Sequence, residues 1–132
     1  MASTTYNITP GRYDRDIPSI VNSKFLNSAA STNATLLKGS SGTIYNIIVH
    51  NTVNGAGNER HLRLYNLSTA PNVGVDAPVC VISIPPNASK EINLVNGITF
   101  DVGIGFSLTA GEPLLDATPV AAGDIQLYIG YI

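Results

Sequence analysis

The two histidines of the chain, His50 and His61, are its most versatile chemical groups. They end one predicted strand and begin the next, so a hairpin would bring the two imidazoles close together. Glu59 lies near enough in sequence to complete a set of three metal-ligand types. The spacing matches no recognised metal-binding motif, however. We therefore predict solvated or hydrogen-bonded histidines at strand ends, with no metal site and no cofactor.

Cys80 is the single cysteine, so neither an intrachain disulfide nor a cysteine-based zinc site can form. A cysteine nucleophile needs a lowered pKa and a nearby base. The segment Pro78-Val79-Cys80-Val81-Ile82 is apolar on both sides of the thiol, which predicts a small core residue instead. The sequence also has no Gly-x-Ser-x-Gly element and no phosphate-binding loop. It therefore predicts no catalytic residue and no enzyme.

The nine carboxylates are scattered along the chain. Asp76, Asp116 and Asp124 lie in turn-rich contexts, where aspartate commonly accepts hydrogen bonds from the local backbone. These positions favour structural roles over the paired carboxylates of a glycoside hydrolase. Sugar binding without catalysis stays open, because four tyrosines could either stack on sugars or pack across strands: Tyr45, Tyr65, Tyr128 and Tyr131.

The composition indicates one domain of 132 residues with a large apolar core, since 44% of the residues are hydrophobic. Only 12% are charged, against about 25% in an ordinary soluble domain, and the net charge is −2. This excludes a surface that binds nucleic acid through phosphates. No apolar run approaches the roughly 20 residues that span a membrane, and we expect no secretory signal at the N-terminus. So little charge indicates a surface covered by partner chains.

Short runs rich in Ile and Val, separated by Gly, Pro and Asn, predict β-strands from residue 34 onward. We place them at 34–38, 43–51, 60–67, 78–84, 89–95, 98–102, 104–109 and 124–132. Asn96-Gly97 between two of these runs predicts a two-residue hairpin turn. We find no convincing amphipathic helix. The expected fold is all-β: a jelly-roll-like antiparallel β-sandwich of about eight strands.

Period-two alternation identifies the face of each strand that turns inward. In the last strand Ile125, Leu127 and Ile129 alternate with Gln126 and Tyr128. The same reasoning applied to all strands predicts this core: Leu37, Ile44, Ile47, Val49, Leu62, Leu64, Val81, Ile92, Leu94, Phe100, Leu108, Ile125, Leu127 and Ile129.

Residues 1–33 differ from the sandwich domain predicted at 34–132, because they show no sustained period and contain a low-complexity stretch at 27–33. We predict an extended N-terminal arm there, although a segment draped over its own domain is the alternative. The arm carries apolar anchors and two arginines that could pair with carboxylates of a partner. The candidate contact residues are Tyr6, Arg12, Tyr13, Arg15, Ile17 and Phe25.

A set of short segments in a fixed order resembles a recurrent pattern in small virion proteins of tailed bacteriophages. It begins with Ser41-Gly42-Thr43-Ile44-Tyr45 and Leu62-Arg63-Leu64-Tyr65-Asn66, and continues at 70–79, 84–85, 96–100, 103–104 and 116–124. The resemblance covers about residues 35–132. Proteins of this kind are similar to capsid decoration, or cement, proteins, which are jelly-roll-like β domains that sit as trimers on an icosahedral head.

The resemblance implies a structural protein of the virion, made in the host bacterial cytoplasm and located on the capsid surface. It implies a homotrimer whose further partner is the major capsid protein of the phage head, and it transfers no catalytic residue to this chain. Related modules occur in head fibres and tail structures. The alternative is therefore a carbohydrate- or receptor-binding module of a head or tail fibre.

Overall fold

A computed structural model describes residues 21–132, which form eight β-strands and no helix within that range. The strands are β1 (Asn22–Asn27), β2 (Thr35–Lys38), β3 (Gly42–Asn51), β4 (Arg60–Tyr65), β5 (Cys80–Ile84), β6 (Ala88–Phe100), β7 (Ile104–Thr109) and β8 (Ile125–Tyr131). No helix long and apolar enough to cross a membrane occurs in the described part of the chain.

The strands form two four-stranded antiparallel sheets. The first sheet has the order β1-β8-β3-β6 and the second has the order β2-β7-β4-β5. The chain changes sheet at every connection except the one between β4 and β5, which gives the strand order of a jelly roll. The prediction of an all-β antiparallel sandwich is confirmed.

The core lies between the two sheets, where inward-facing aliphatic and aromatic side chains meet. Ten of the predicted core residues are buried, among them Ile47, Leu62 and Leu127. Leu37 and Ile92 are half-buried and pack against this cluster. The prediction was wrong for Val81 and Leu94, which lie outside it, while Cys80 and Ile82 pack against it instead. The sequence analysis missed several buried residues: Tyr65, Ile84, Ile104, Phe106 and Val120.

Strand β1 falls within the range predicted as an arm, 1–33, yet it pairs with β8 from Asn22↔Tyr131 to Asn27↔Gln126. Its sequence gives a weak strand signal because β1 is an edge strand, of which only Leu26 packs against the core. The sandwich therefore includes residues 22–27. Residues 1–20 lie outside the described residues, so the arm remains a prediction for that segment.

Strand β6 runs without interruption through Asn96-Gly97, where the sequence predicted a hairpin. Both Ile98 and Asn93 pair with β3, opposite Ile44 and Asn46, so residues 94–97 face Tyr45 alone. The extra residues form a bulge. Gly97 has the positive φ of 75° that the turn prediction required, but the chain continues along β3 beyond it.

Candidate functional site

The two histidines lie in different sheets, so the predicted hairpin does not bring them together. His50 Nδ1 is 2.7 Å from Ser89 Oγ on β6, and His61 Nδ1 is 2.9 Å from Ser83 Oγ on β5. Within residues 21–132 no three histidine, cysteine or carboxylate side chains group closely enough to hold a metal ion. Each histidine is hydrogen-bonded to a serine of the neighbouring strand.

The aspartates organise turns, as their sequence context predicted. Asp76 Oδ2 accepts a hydrogen bond from the backbone N–H of Asn72 at 2.7 Å. Asp124 Oδ2 accepts one from Ala121 N–H and also pairs with Arg60 Nε at 3.1 Å. Burial of the Asp116 carboxylate raises its pKa, but hydrogen bonds from Thr118 and Gly111 outweigh burial, and the net pKa is lowered.

The outer face of the first sheet carries a row of large apolar side chains across three strands. Phe25 on β1 pairs with Tyr128 on β8, and Tyr128 pairs with Ile48 on β3. Phe25 is 67% exposed and Ile48 is 40% exposed. Among the candidate contact residues, Phe25 is the one that the structure describes. Tyr6, Arg12, Tyr13, Arg15 and Ile17 lie outside the described residues.

The rows on either side of these apolar residues are polar but almost uncharged. One row contains Ser23, Gly130, Asn46 and Asn93, and the other contains Asn27, Gln126, His50 and Ser89. Glu91, which pairs with Ile48, ends the apolar row. We call these twelve positions the Phe25 face. Because the face contains a single carboxylate, removing water from it when a partner binds costs little free energy.

The outer face of the second sheet is covered by its own loops, so that His61–Tyr65 of β4 and all of β7 are buried. Arg63 of β4 is fully buried and points into this cover. Its Nε donates to Thr109 Oγ1 at 2.8 Å. Its two terminal nitrogens donate to four backbone carbonyls of one loop: Gly111, Glu112, Pro113 and Leu114.

Two loops meet above Arg63. A Cβ placed on Gly74 would lie 3.2 Å from Ala117 Cβ, which places the turn at 72–76 against the loop at 110–118. At this junction Val75, Leu114 and Leu115 are exposed, although the Leu114 carbonyl oxygen points inward to Arg63. The same two loops contribute three acidic residues, Asp76, Glu112 and Asp116. We call these six residues the loop patch.

His61 shares the outer side of β4 with Arg63, two residues away, and is buried. Burial lowers its pKa, and the charge of Arg63 lowers it further. Glu112, Glu59 and Asp116 raise the pKa by a smaller amount. Burial and the neighbouring guanidinium thus both disfavour the protonated form of the imidazole.

Sequence reasoning missed Arg63 as an organising residue. Alternation along β4 turns Leu62 and Leu64 inward and places Arg63 on the opposite face, but it does not show whether that face is covered. The local sequence does not indicate that a loop covers this face, because residues 110–119 are typical of an ordinary turn region that contains Gly and Pro. Of the tyrosines, Tyr65 is buried with its hydroxyl 2.9 Å from Ser107 Oγ, and Tyr128 lies on the Phe25 face.

No protein-family model matches the chain, and no curated protein matches its sequence significantly. Among solved structures, the coat protein of Tobacco streak virus in a C2 crystal form is similar over 87% of this chain and 88% of its own, with 8% identity and a TM-score of 0.38. A structure of the Tobacco streak virus coat protein dimer is similar over 87% of this chain and 86% of its own, with 7% identity and a TM-score of 0.33. Identity this low transfers no site or partner to this chain.

Proposed function

We propose that this chain is a virion structural protein, a trimeric decoration or cement protein that binds the outside of a tailed-phage head and stabilises it. The sequence pattern across residues 35–132 and the low charged fraction of 12% support this function. The proposal places the protein on the capsid surface, with the major capsid protein and further copies of itself as partners.

The exposed Phe25 within a nearly uncharged sheet face is the observation that carries the proposal. Burying an aromatic side chain of this kind contributes about 1.5–3 kcal/mol, and amide groups nearby can exchange water for partner hydrogen bonds. A sheet face of this kind suits a broad contact with another protein. Tyr6, Arg12, Tyr13, Arg15 and Ile17 belong to the proposal as further contacts within the assembled virion.

A trimer strengthens such a contact through multivalency. Three linked copies that engage neighbouring sites dissociate far more slowly than one, because loss of one contact leaves two in place. A weak interface for each Phe25 face therefore suffices for stable decoration of a head.

The second candidate function is a carbohydrate- or receptor-binding module of a fibre. The neighbouring rings of Phe25 and Tyr128 favour it, because aromatic rings beside amide groups such as those of Asn27 and Gln126 can stack on a sugar and hydrogen-bond its hydroxyls. Both candidates use the same face. They differ in the partner, which is a folded capsid in one case and a free oligosaccharide in the other.

The test measures the number of copies bound to purified undecorated heads. We expect Phe25→Ser and Ile48→Ser each to weaken binding about tenfold or more, since a loss of 1.4 kcal/mol is a factor of ten. Val102→Ser is the matched control, because Val102 is an exposed aliphatic residue outside the Phe25 face. Equal binding by Phe25→Ser and Val102→Ser contradicts the proposed face. Binding of glycans by the wild-type protein without binding to heads supports the second candidate.

A further inference from the structure

The loop patch lies on the opposite side of the sandwich from the Phe25 face and combines exposed apolar side chains with carboxylates. We propose that it binds residues 13–17 of a second copy of this chain, so that each copy donates this segment to its neighbour. This inference rests on the proposed homotrimer. It assigns Tyr13, Arg15 and Ile17 to a contact between copies rather than to the capsid protein.

The loop patch is apolar and firmly held. Val75 is 68% exposed, Leu114 57% and Leu115 49%. Exposed aliphatic side chains usually occur singly, so three at one loop junction indicate a contact surface. Arg63 binds the carbonyl oxygens beneath Leu114 and its neighbours, so little conformational entropy is lost when a partner docks there.

The charged side chains that the two loops themselves contribute are all acidic. Residues 66–79 and 110–119 contain Asp76, Glu112 and Asp116 but no lysine or arginine. Asp116 already accepts hydrogen bonds on both oxygens from Gly111 and Thr118. The Glu112 side chain accepts none within the described residues, and it is exposed. A cation from a partner therefore finds its best site at Glu112.

The segment Tyr13-Asp14-Arg15-Asp16-Ile17 has the complementary pattern. When bound in an extended form, alternate side chains point to opposite sides. Tyr13, Arg15 and Ile17 then share one side, which presents a ring, a cation and an aliphatic group to the loop patch.

The distance to be covered favours a second copy over the same copy. Residues 17 and 21 are four residues apart, a reach of about 14 Å at most. Because β5 contacts β6, β1 lies toward the opposite edge, near β2. A chain that leaves β1 must pass about 10 Å to the second sheet and about 10 Å across two strands to reach the cover of β4. This path is longer than the reach of Ile17, so we assign the whole segment to the loop patch of a second copy.

An exchange of this kind closes a ring. Each copy donates one segment and accepts one, which is a heterologous contact, and heterologous contacts form closed rings when the rotation between copies allows it. A closed ring leaves no donor and no acceptor unpaired, and the proposed homotrimer is the ring of three copies.

The first test measures mass in solution for the full-length chain at micromolar concentration, without heads. The wild type should be a trimer of the 13.9 kDa chain. Arg15→Glu should abolish the trimer, Glu112→Arg should do the same, and the double variant should restore it, because the ion pair is then reversed. Val102→Ser should leave the mass unchanged. A monomeric wild type, or single variants that remain trimeric, overturns the inference.

The second test asks whether the contact forms between copies. The double variant Tyr13→Ser with Ile17→Ser lacks the donor segment, and Leu114→Ser with Leu115→Ser lacks the acceptor. Each should be monomeric alone, and a mixture should form a one-to-one complex. Two folded variants that stay monomeric when mixed overturn the exchange. If the protein binds heads but these variants leave its mass in solution unchanged, this inference alone is overturned. If the variants disrupt the trimer but the wild type never binds heads, only the proposed function is overturned.

Discussion

The guanidinium of Arg63 donates a hydrogen bond of 2.7 Å to the carbonyl oxygen of Leu114, while the Leu114 side chain is exposed to solvent. The backbone of Leu114 is thus fixed by Arg63, while its side chain points to solvent. The buried arginine lies directly beneath the loop patch. Rigidity of the loop and exposure of its leucines are two consequences of the same contact.

Replacement of Arg63 by Met should destabilise the fold strongly. The change keeps most of the side-chain volume but removes five hydrogen bonds, four of them to carbonyls of residues 111–114 that point inward. We expect the free energy of unfolding in urea to fall by about 3 kcal/mol or more. Lys90→Met, at an exposed position, should change it by less than about 0.5 kcal/mol. Equal stability of the two variants would show that Arg63 does not hold the loop.

Stability should depend on pH through His61. The pKa of this imidazole is lowered from its ordinary value of 6.5 by burial first and then by Arg63. The unfolded chain therefore binds a proton at a higher pH than the folded chain. The free energy of unfolding should fall as the pH drops below about 6.5 and level off below the folded-state pKa.

Urea unfolding between about pH 7.5 and about pH 5 measures this dependence. His61→Gln keeps a partner for Ser83 Oγ but cannot bind a proton, so its stability should vary less than that of the wild type over this range. His50→Gln, which replaces the other serine-bonded histidine, serves as the matched control. A wild-type profile that His61→Gln leaves unchanged would contradict the assignment.

The parts of the fold that were predictable from sequence are strands with one buried and one exposed face. In β8 the inward Ile125, Leu127 and Ile129 alternate with exposed or half-buried residues, and the period of two is visible. Strand β4 does not show this alternation of burial, because loops bury its outer face as well. The partner of Arg63 lies about 50 residues away in sequence, so no local pattern marks it.

The Phe25 face was only partly predictable. Phe25 was identified as an apolar anchor of the arm, but the pairing of β1 with β8 that places it beside Tyr128 depends on a contact between the two ends of the described chain. At Asn96-Gly97 the local signal identified the positive φ of Gly97 correctly. Two residues cannot show whether the chain reverses direction or forms a bulge. That outcome depends on the pairing of β6 with the neighbouring strand β3.

The side chain of Asn66 should stabilise the turn between β6 and β7. Its Nδ2 donates to Asp101 Oδ1 at 2.6 Å, and its Oδ1 accepts from the N–H groups of Val102 and Gly103. Asn66→Ala should lower the free energy of unfolding by about 1–2 kcal/mol. Asn72→Ala is the control, because Asn72 bonds to Asp76 through its backbone N–H, which the change preserves. A loss no larger than that of Asn72→Ala would argue against this role of the amide.

The bulge in β6 should require glycine at position 97 for two separable reasons. Its φ of 75° strains any residue with a side chain, and a Cβ would meet Thr43 Cγ2 and lie 2.9 Å from the Ile44 carbonyl oxygen. Gly57→Ala isolates the first reason, because Gly57 has a φ of 84° but no atom within 4 Å of an added Cβ. We expect Gly57→Ala to cost about 1 kcal/mol and Gly97→Ala about 2–3 kcal/mol in urea unfolding, since the second also forces β3 away from β6. If the two variants lose the same stability, the close approach of β6 to Thr43 contributes nothing, and the bulge needs glycine for its φ alone.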